Sequence, residues 1–115
     1  VQEQMSRARA QGELFYSIGN TYTGVCANAA NTVYALLLAS KNVSGVAGGA
    51  SGPAIVLATG GAYNTVTCHE NATVWAAEAP LSASVSATPS MWCVDSTGVS
   101  KKEAAVLAAS ATSCA

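Results

Sequence analysis

Charge, aromatic side chains and histidine are scarce in this chain. Charged residues make up 10% and aromatic residues 6% of its 115 positions, and the formal net charge is −1. Five Lys and Arg residues against six Asp and Glu residues build no field that would attract nucleic acid. Any Ser/His or Cys/His machinery would depend on the single histidine, His69. The composition therefore predicts a protein that is not an enzyme, holds no cofactor and has no nucleic-acid partner.

Metal-ligand spacings are missing as well. Cys68 and His69 place two ligand types side by side, but no C-x-x-C or H-x-x-x-H pattern accompanies them. His69-Glu70-Asn71 is typical of a turn, where a histidine is solvated. We predict no metal site and no catalytic role for His69.

Long apolar runs and an export signal are absent from the sequence. No run approaches the roughly 20 apolar residues that span a bilayer, and no charged-then-apolar segment opens the chain. Val1-Gln2-Glu3-Gln4 begins a helical pattern with no capping residue ahead of it. We therefore expect Val1 to lie in the middle of a longer helix whose earlier part is not in this sequence.

Four cysteines are present, and large apolar side chains are few because 24 of the residues are alanine. A thin core in a small chain is commonly reinforced by disulfides, which form in the periplasm or outside the cell. Three pairings are possible, and order along the chain favours Cys26 with Cys68 and Cys93 with Cys114. In the chain-entropy view, closing these loops contributes roughly 4 and roughly 3 kcal/mol.

Helical periodicity dominates the first third of the chain. Apolar or small residues recur at steps of three and four over residues 1–18, and Gly19-Asn20 is the expected exit. Leu14, Phe15 and Tyr16 are consecutive and so need cover from more than one direction. A second helix is predicted over residues 28–40, and the glycine- and serine-rich residues 44–53 predict a loop.

Strand patterns follow this loop. Four strands are predicted, over residues 54–59, 62–68, 72–79 and 90–94, with a Gly60-Gly61 turn between the first two. Short connections predict an antiparallel sheet with the helices on one face, an α+β fold. Trp75 and Trp92 are expected to brace this sheet, and Lys101, Lys102 and Glu103 to form a short exposed turn of helix. We predict one domain, 1–115, made of a stalk helix (1–19), a connecting region (20–53), a sheet (54–94) and a disulfide-closed terminal loop (95–115).

Several segments carry a family resemblance. They are MSRARAQGELFY at 5–16, NTYTGVC at 20–26, VTC at 66–68, WAAEAPL at 75–81 and WCVDSTG at 92–98. In order and spacing they resemble the soluble heads of bacterial type IV pilins and type II secretion pseudopilins, in which an Ala/Arg-rich helix ends in a Glu-Leu-(Phe/Tyr)-Tyr cluster. The similarity spans most of the chain. The cleavage site, methylated first residue, apolar half-helix and glutamate of that family have no counterpart here.

The resemblance implies a structural subunit of a type IV pilus. The complete helix would hold the precursor in the inner membrane and then pack with its neighbours, leaving this domain on the surface of an extracellular filament. Partners would be copies of the chain, other pilins and the inner-membrane assembly machinery. Cys93 and Cys114 would close the family's terminal loop. The residues expected to pack against other subunits are Met5, Ala8, Gly12, Phe15 and Tyr16.

Three other interpretations stay open at this point. A minor pilin or tip adhesin would contact a surface or glycan through Trp75, residues 82–88 or the terminal loop. A secretion pseudopilin is less favoured, because calcium-binding carboxylate clusters are frequent in major pseudopilins and Asp95 stands alone near the C-terminus. A periplasmic enzyme would require His69.

Overall fold

A computed structural model of the chain describes residues 2–27, 32–43, 54–56, 65–81, 84, 87–104, 106–107 and 111–114. The first helix, α1, is Gln2–Gly19, and the second, α2, is Tyr34–Val43. Good helix formers fill α1, and Glu3 lies in its first turn, where the helix dipole favours an acid. The helix ends at Gly19, and Asn20 after it takes a left-handed φ of 55° and donates its N–H to Tyr16 O at 2.7 Å.

The described strands form one sheet in the order β1-β2-β3-β4-β5. Their bounds are Ala54–Val56 (β1), Thr65–Glu70 (β2), Trp75–Pro80 (β3), Met91–Asp95 (β4) and Ser100–Glu103 (β5). Strands β2 to β5 pair antiparallel in succession. An N-terminal helix, a second short helix, an antiparallel sheet and a disulfide near the C-terminus agree with the α+β prediction.

Two expectations about the sheet were wrong. Strand β1 pairs parallel with β2, so these two strands are not a hairpin. Side-chain alternation is the same for either strand direction, which is why the pattern did not reveal it. The expected Gly60-Gly61 turn lies outside the described residues. Lys101, Lys102 and Glu103 belong to β5 rather than to a helical turn, because Gly98, at a φ of 101°, closes a turn that returns the chain along β4.

The helices cover one face of the sheet. Met5, Ala8 and Leu37 from the helices meet the alternate strand residues that point toward them, and together they form the larger core. The strand residues of this core are Val66, Cys68, Trp75, Ala77, Ala79 and Val94. Trp75 is fully buried, as expected for a brace, and Trp92 packs against the same core while partly exposed.

The opposite face of the sheet is covered by the end of the chain. We call the described residues 106–107 and 111–114 the C-terminal strap. Leu107 of the strap is buried with Ala76 and Cys93, and Ala111 and Cys114 pack beside them. The terminal segment is therefore a third layer on the sheet rather than a loop projecting from its edge.

Candidate functional sites on the first helix and beneath the C-terminal strap

The side of α1 that faces the sheet holds most of the residues expected to pack against other subunits. Met5 and Ala8 are fully buried in the core of this chain. Gly12 is buried too, and a Cβ placed on it would lie 2.5 Å from Cζ2 of Trp75. Phe15 is partly buried against the same core. Met5, Ala8 and Gly12, which were expected to pack against other subunits, are covered within the domain by the sheet of the same chain. The apolar stripe identified a buried side of the helix but not the layer that covers it.

An apolar surface remains on the outward side of the same helix. Leu14 is 53% exposed and Ile18 is 74% exposed. Residues four apart on a helix are neighbours, so these two side chains adjoin. We call Leu14 and Ile18 the outer flank. They are the large apolar groups of α1 that have the least cover within the domain.

The first turns of α1 on this side are polar. Arg7 lies one heptad before Leu14, which places it on nearly the same side of the helix. Its Nη2 donates to Glu3 Oε1 at 2.6 Å, and both side chains are well exposed. A surface pair of this kind contributes less than about 1 kcal/mol. The apolar patch is therefore confined to the last turns of the helix, next to the connection that follows it.

Tyr16 lies away from the outer flank and has a partner within the chain. It is 36% exposed, and its ring centroid is 4.6 Å from that of Tyr22. The Tyr22 hydroxyl donates to Glu13 Oε1 at 2.8 Å. Burial, with a further contribution from that hydrogen bond to Glu13, raises the pKa of Tyr22 to about 12. These contacts attach the end of α1 to the connection that follows it.

The same connection is held to the sheet by a carboxylate and a disulfide. Glu70, at the end of β2, accepts hydrogen bonds from the N–H groups of Gly24 at 2.5 Å and Cys26 at 2.6 Å. Cys26 is joined to Cys68 on the same strand. This disulfide and the Cys93–Cys114 bond are the pairing that order along the chain favours. Sequence reasoning missed Glu70, since no local pattern distinguishes an acid that binds a loop more than 40 residues earlier.

Beneath the strap, three ionisable residues of the sheet bind strap backbone. His69 is only 4% exposed, and its Nδ1 lies 2.8 Å from the carbonyl oxygen of Ala111. It lies in β2, so the expectation of a solvated turn was wrong. The turn comes two residues later, where Asn71 Oδ1 accepts from Thr73 N and Val74 N, both at 2.9 Å.

Glu78 is the second of these residues and lies in the central strand, β3. Its side chain is 1% exposed, and Oε1 accepts the N–H of Leu107 at 2.8 Å. Burial raises the pKa of Glu78 to about 7, the bond from Leu107 opposes that rise, and the charge of Glu103 adds to it. The carboxyl group beneath the strap therefore keeps its proton to a higher pH than an exposed glutamate does.

Asp95, at the end of β4, is buried like Glu78 but has many more donors. Its Oδ1 accepts from the N–H groups of Thr97 at 2.9 Å and Val99 at 3.2 Å and from the Thr97 hydroxyl at 2.5 Å. Its Oδ2 accepts from Cys114 N at 2.8 Å. Burial by itself would raise the pKa, but the hydrogen bonds together outweigh it, and the pKa of Asp95 is lowered.

Three atoms of the kinds that bind metal ions lie close together on this face of the sheet. Cys93 Sγ, Cys114 Sγ and a Glu103 oxygen lie within 4.8 Å of one another. The two sulfurs are bonded to each other, so neither can act as a thiolate ligand while the disulfide is intact. In this state the cluster attaches the strap to the sheet.

The structure also describes residues that the adhesin and enzyme interpretations would require. Trp75 is fully buried, so it cannot be an exposed contact for a glycan. Most of residues 82–88 lie outside the described part of the chain. His69, Glu78 and Asp95 are all buried and bonded to strap backbone, so a substrate would reach them only if the strap moved.

Comparisons with known protein families, with curated proteins and with solved structures found no match. In the part of the chain that the structure describes, neither helix has the length and apolar character needed to cross a membrane.

Proposed function

We propose that this chain is the head domain of a structural subunit of a bacterial type IV pilus. The subunit polymerises through its N-terminal helix and displays this domain on the surface of an extracellular filament, after residence in the inner membrane as a longer precursor. Its partners are copies of itself, other pilins and the assembly machinery of the inner membrane. The segment resemblances given above support this assignment, and so does the arrangement of one helix laid along a disulfide-reinforced sheet.

The observation that carries the proposal is the outer flank. A helix that only had to cover its own sheet would need apolar residues on one side, as Met5 and Ala8 provide. Leu14 and Ile18 add exposed apolar surface outside that buried side. Burial of such side chains contributes about 1.5–3 kcal/mol each when complete. Covering the exposed parts of both would contribute about 2–4 kcal/mol per subunit contact, enough to matter in an assembly that repeats the contact many times.

The residue assignment changes with this geometry. Leu14 and Ile18 replace Met5, Ala8 and Gly12 as the residues of α1 that contact neighbouring subunits. Tyr16 stays at the border of that contact, because it is exposed but stacked on Tyr22.

The test expresses the gene from its own start codon in a bacterium with working pilus machinery. Leu14→Gln combined with Ile18→Gln is compared with Ser6→Gln combined with Ser17→Gln, a matched change at two exposed positions on another side of α1. Both variants should be exported and should melt within about 2 °C of wild type, since exposed sites tolerate such changes. The flank variant should be depleted at least tenfold from sheared filaments, and the control should not.

Two results would reject the proposal. One is a wild-type subunit that is exported yet never enters a filament while a known pilin does so in the same cells. The other is a flank variant that assembles as well as the serine control.

A further inference from the structure

The strap is attached to the sheet at points of different chemistry. At its end, Cys114 is bound covalently to Cys93, and its N–H donates to Asp95. Toward its beginning, the attachment seen among the described residues is the hydrogen bond from Leu107 N to Glu78 Oε1 at 2.8 Å, together with the packing of Leu107. Between the two ends, Ala111 O lies 2.8 Å from Nδ1 of His69. The end at Cys114 is therefore held by a covalent bond that protonation does not change, whereas the attachment at Leu107 depends on one carboxyl group.

The surroundings of Glu78 disfavour its ionised form. Within the described part of the chain, no Lys, Arg or His lies at ion-pair distance from it. The ionisable groups on the same side of the sheet are His69 from β2, Asp95 from β4, and Lys101 and Glu103 from β5. Lys101 is exposed and lies two strands away, about 10 Å by strand spacing. The charge of Glu103 therefore opposes a charge on Glu78, and Lys101, the lysine on this side among the described residues, is too far away for an ion pair.

We propose that Glu78 makes the strap a proton-controlled closure, which is held against the sheet while the carboxyl group is protonated and loosens around Leu107 when the carboxyl group ionises. The reason is hydration. A buried carboxylate that lacks a cation regains water most easily if the strap lifts. The N–H of Leu107 favours the ionised form, but burial and the Glu103 charge outweigh it.

Loosening would be local and reversible. The Cys93–Cys114 bond keeps the strap on the domain, and Asp95 keeps its hold on Cys114 because the pKa of Asp95 is lowered and its charge does not change near neutral pH. What becomes accessible is the small apolar cluster of Ala76 and Cys93 that Leu107 covers. This device is independent of filament assembly, because it lies on the face of the sheet opposite α1.

Amide hydrogen exchange measured by NMR on the oxidised protein tests the proposal. Exchange of the Leu107 amide is followed between about pH 6 and pH 8.5 and corrected for the intrinsic rate of an unfolded peptide. With a Glu78 pKa of about 7 when closed and 4.5 when open, the opening constant should rise about tenfold over this range. The Cys114 amide, whose acceptor stays ionised throughout, is the internal control and should change less than about twofold.

Glu78→Gln is the decisive variant, because glutamine keeps the shape and an acceptor for Leu107 N but cannot ionise. In this variant, the protection of the Leu107 amide against exchange should not change with pH. Glu103→Gln, which leaves Glu78 in place, should keep a pH response but a smaller one, since it removes a charge that favours the protonated form. Wild-type protection that does not change with pH would overturn the proposal, as would an equal pH response in Glu78→Gln. If Glu78→Gln does not fold, a response in Glu103→Gln that is equal to or larger than wild type would overturn it.

Discussion

Replacing Gly12 with alanine tests whether α1 packs closely against Trp75 of the sheet. The added Cβ would lie 2.5, 2.7 and 2.9 Å from Cζ2, Cε2 and Nε1 of Trp75. Carbon atoms in contact are normally about 3.5–4.0 Å apart, so either the helix or the ring must move by about 1 Å. The ring cannot swing into solvent, because Trp75 is fully buried in the central strand.

The magnitude follows from two opposing effects. Overpacking a well-filled core costs about 1–3 kcal/mol, and alanine gains up to about 1 kcal/mol over glycine inside a helix. Because the clash is with a rigid ring close to the helix backbone, we expect a cost near the upper end of the range and a net loss of about 2 kcal/mol. For a chain of 115 residues, the entropy of unfolding is about 0.24 kcal/mol/K, so the Tm should fall by about 8 °C.

The assay is thermal unfolding by circular dichroism with both disulfides intact. Gly19→Ala is the matched control, because it lies in the same helix and the nearest atom to its added Cβ is 4.0 Å away. The control should shift the free energy of unfolding by less than about 0.5 kcal/mol. A Gly12→Ala protein that melts at or above the wild-type temperature would refute the close packing of α1 on Trp75.

Two further predictions concern carboxylates that bind backbone N–H groups. Glu70→Gln replaces a carboxylate that receives two loop N–H groups with a side chain that has one acceptor oxygen, so the free energy of unfolding should fall by about 1–3 kcal/mol. Glu3→Gln, which removes the exposed pair with Arg7 and an acid favoured by the helix dipole, should cost about 1 kcal/mol or less in the same denaturant titration, and equal losses would contradict the role of Glu70. Asp95→Asn should destabilise the protein at neutral pH by a similar 1–3 kcal/mol or so. Since the pKa of Asp95 is lowered on folding, the stabilisation from its charge is present above the unfolded pKa and is lost as the pH falls through the folded pKa. The difference between wild type and Asp95→Asn should therefore shrink in acid, and a difference that stays constant or grows would show that the charge is not what matters.

The elements that local pattern determines were the ones that could be predicted. The first helix follows from its three-and-four spacing and ends at the expected Gly19-Asn20 exit. Strands β2, β3 and β4 lie within a few residues of their predicted positions. The end of β2 was predicted two residues too early, because a polar run such as His69-Glu70-Asn71 can belong to a strand or to a turn. In the structure only Asn71 belongs to the turn, since its side chain caps the two N–H groups that follow.

The candidate sites were harder to predict, because their partners are distant in sequence. Glu78 meets Leu107 across 29 residues, and His69 meets Ala111 across 42. Neither Glu78 nor His69 has a partner nearby in the sequence. Both would be expected to be solvated, since most acids and many histidines are exposed. Only the path of the terminal segment over the sheet decides that they are buried.

Sequence by itself determined the helical and strand spacing of the apolar residues, because that spacing depends on neighbours along the chain. Its composition also determined the thin alanine-rich core and the cysteines available to reinforce it. Alternation along a strand also determined that the sheet has two distinct sets of side chains. Tertiary structure alone decided what covers each set, namely α1 and α2 on one face and the strap on the other. It also decided that Leu14 and Ile18, rather than Met5 and Ala8, remain exposed on α1. The physical reason is that burial and hydrogen bonding depend on which distant segments meet, and a residue pattern specifies a face but not its partner.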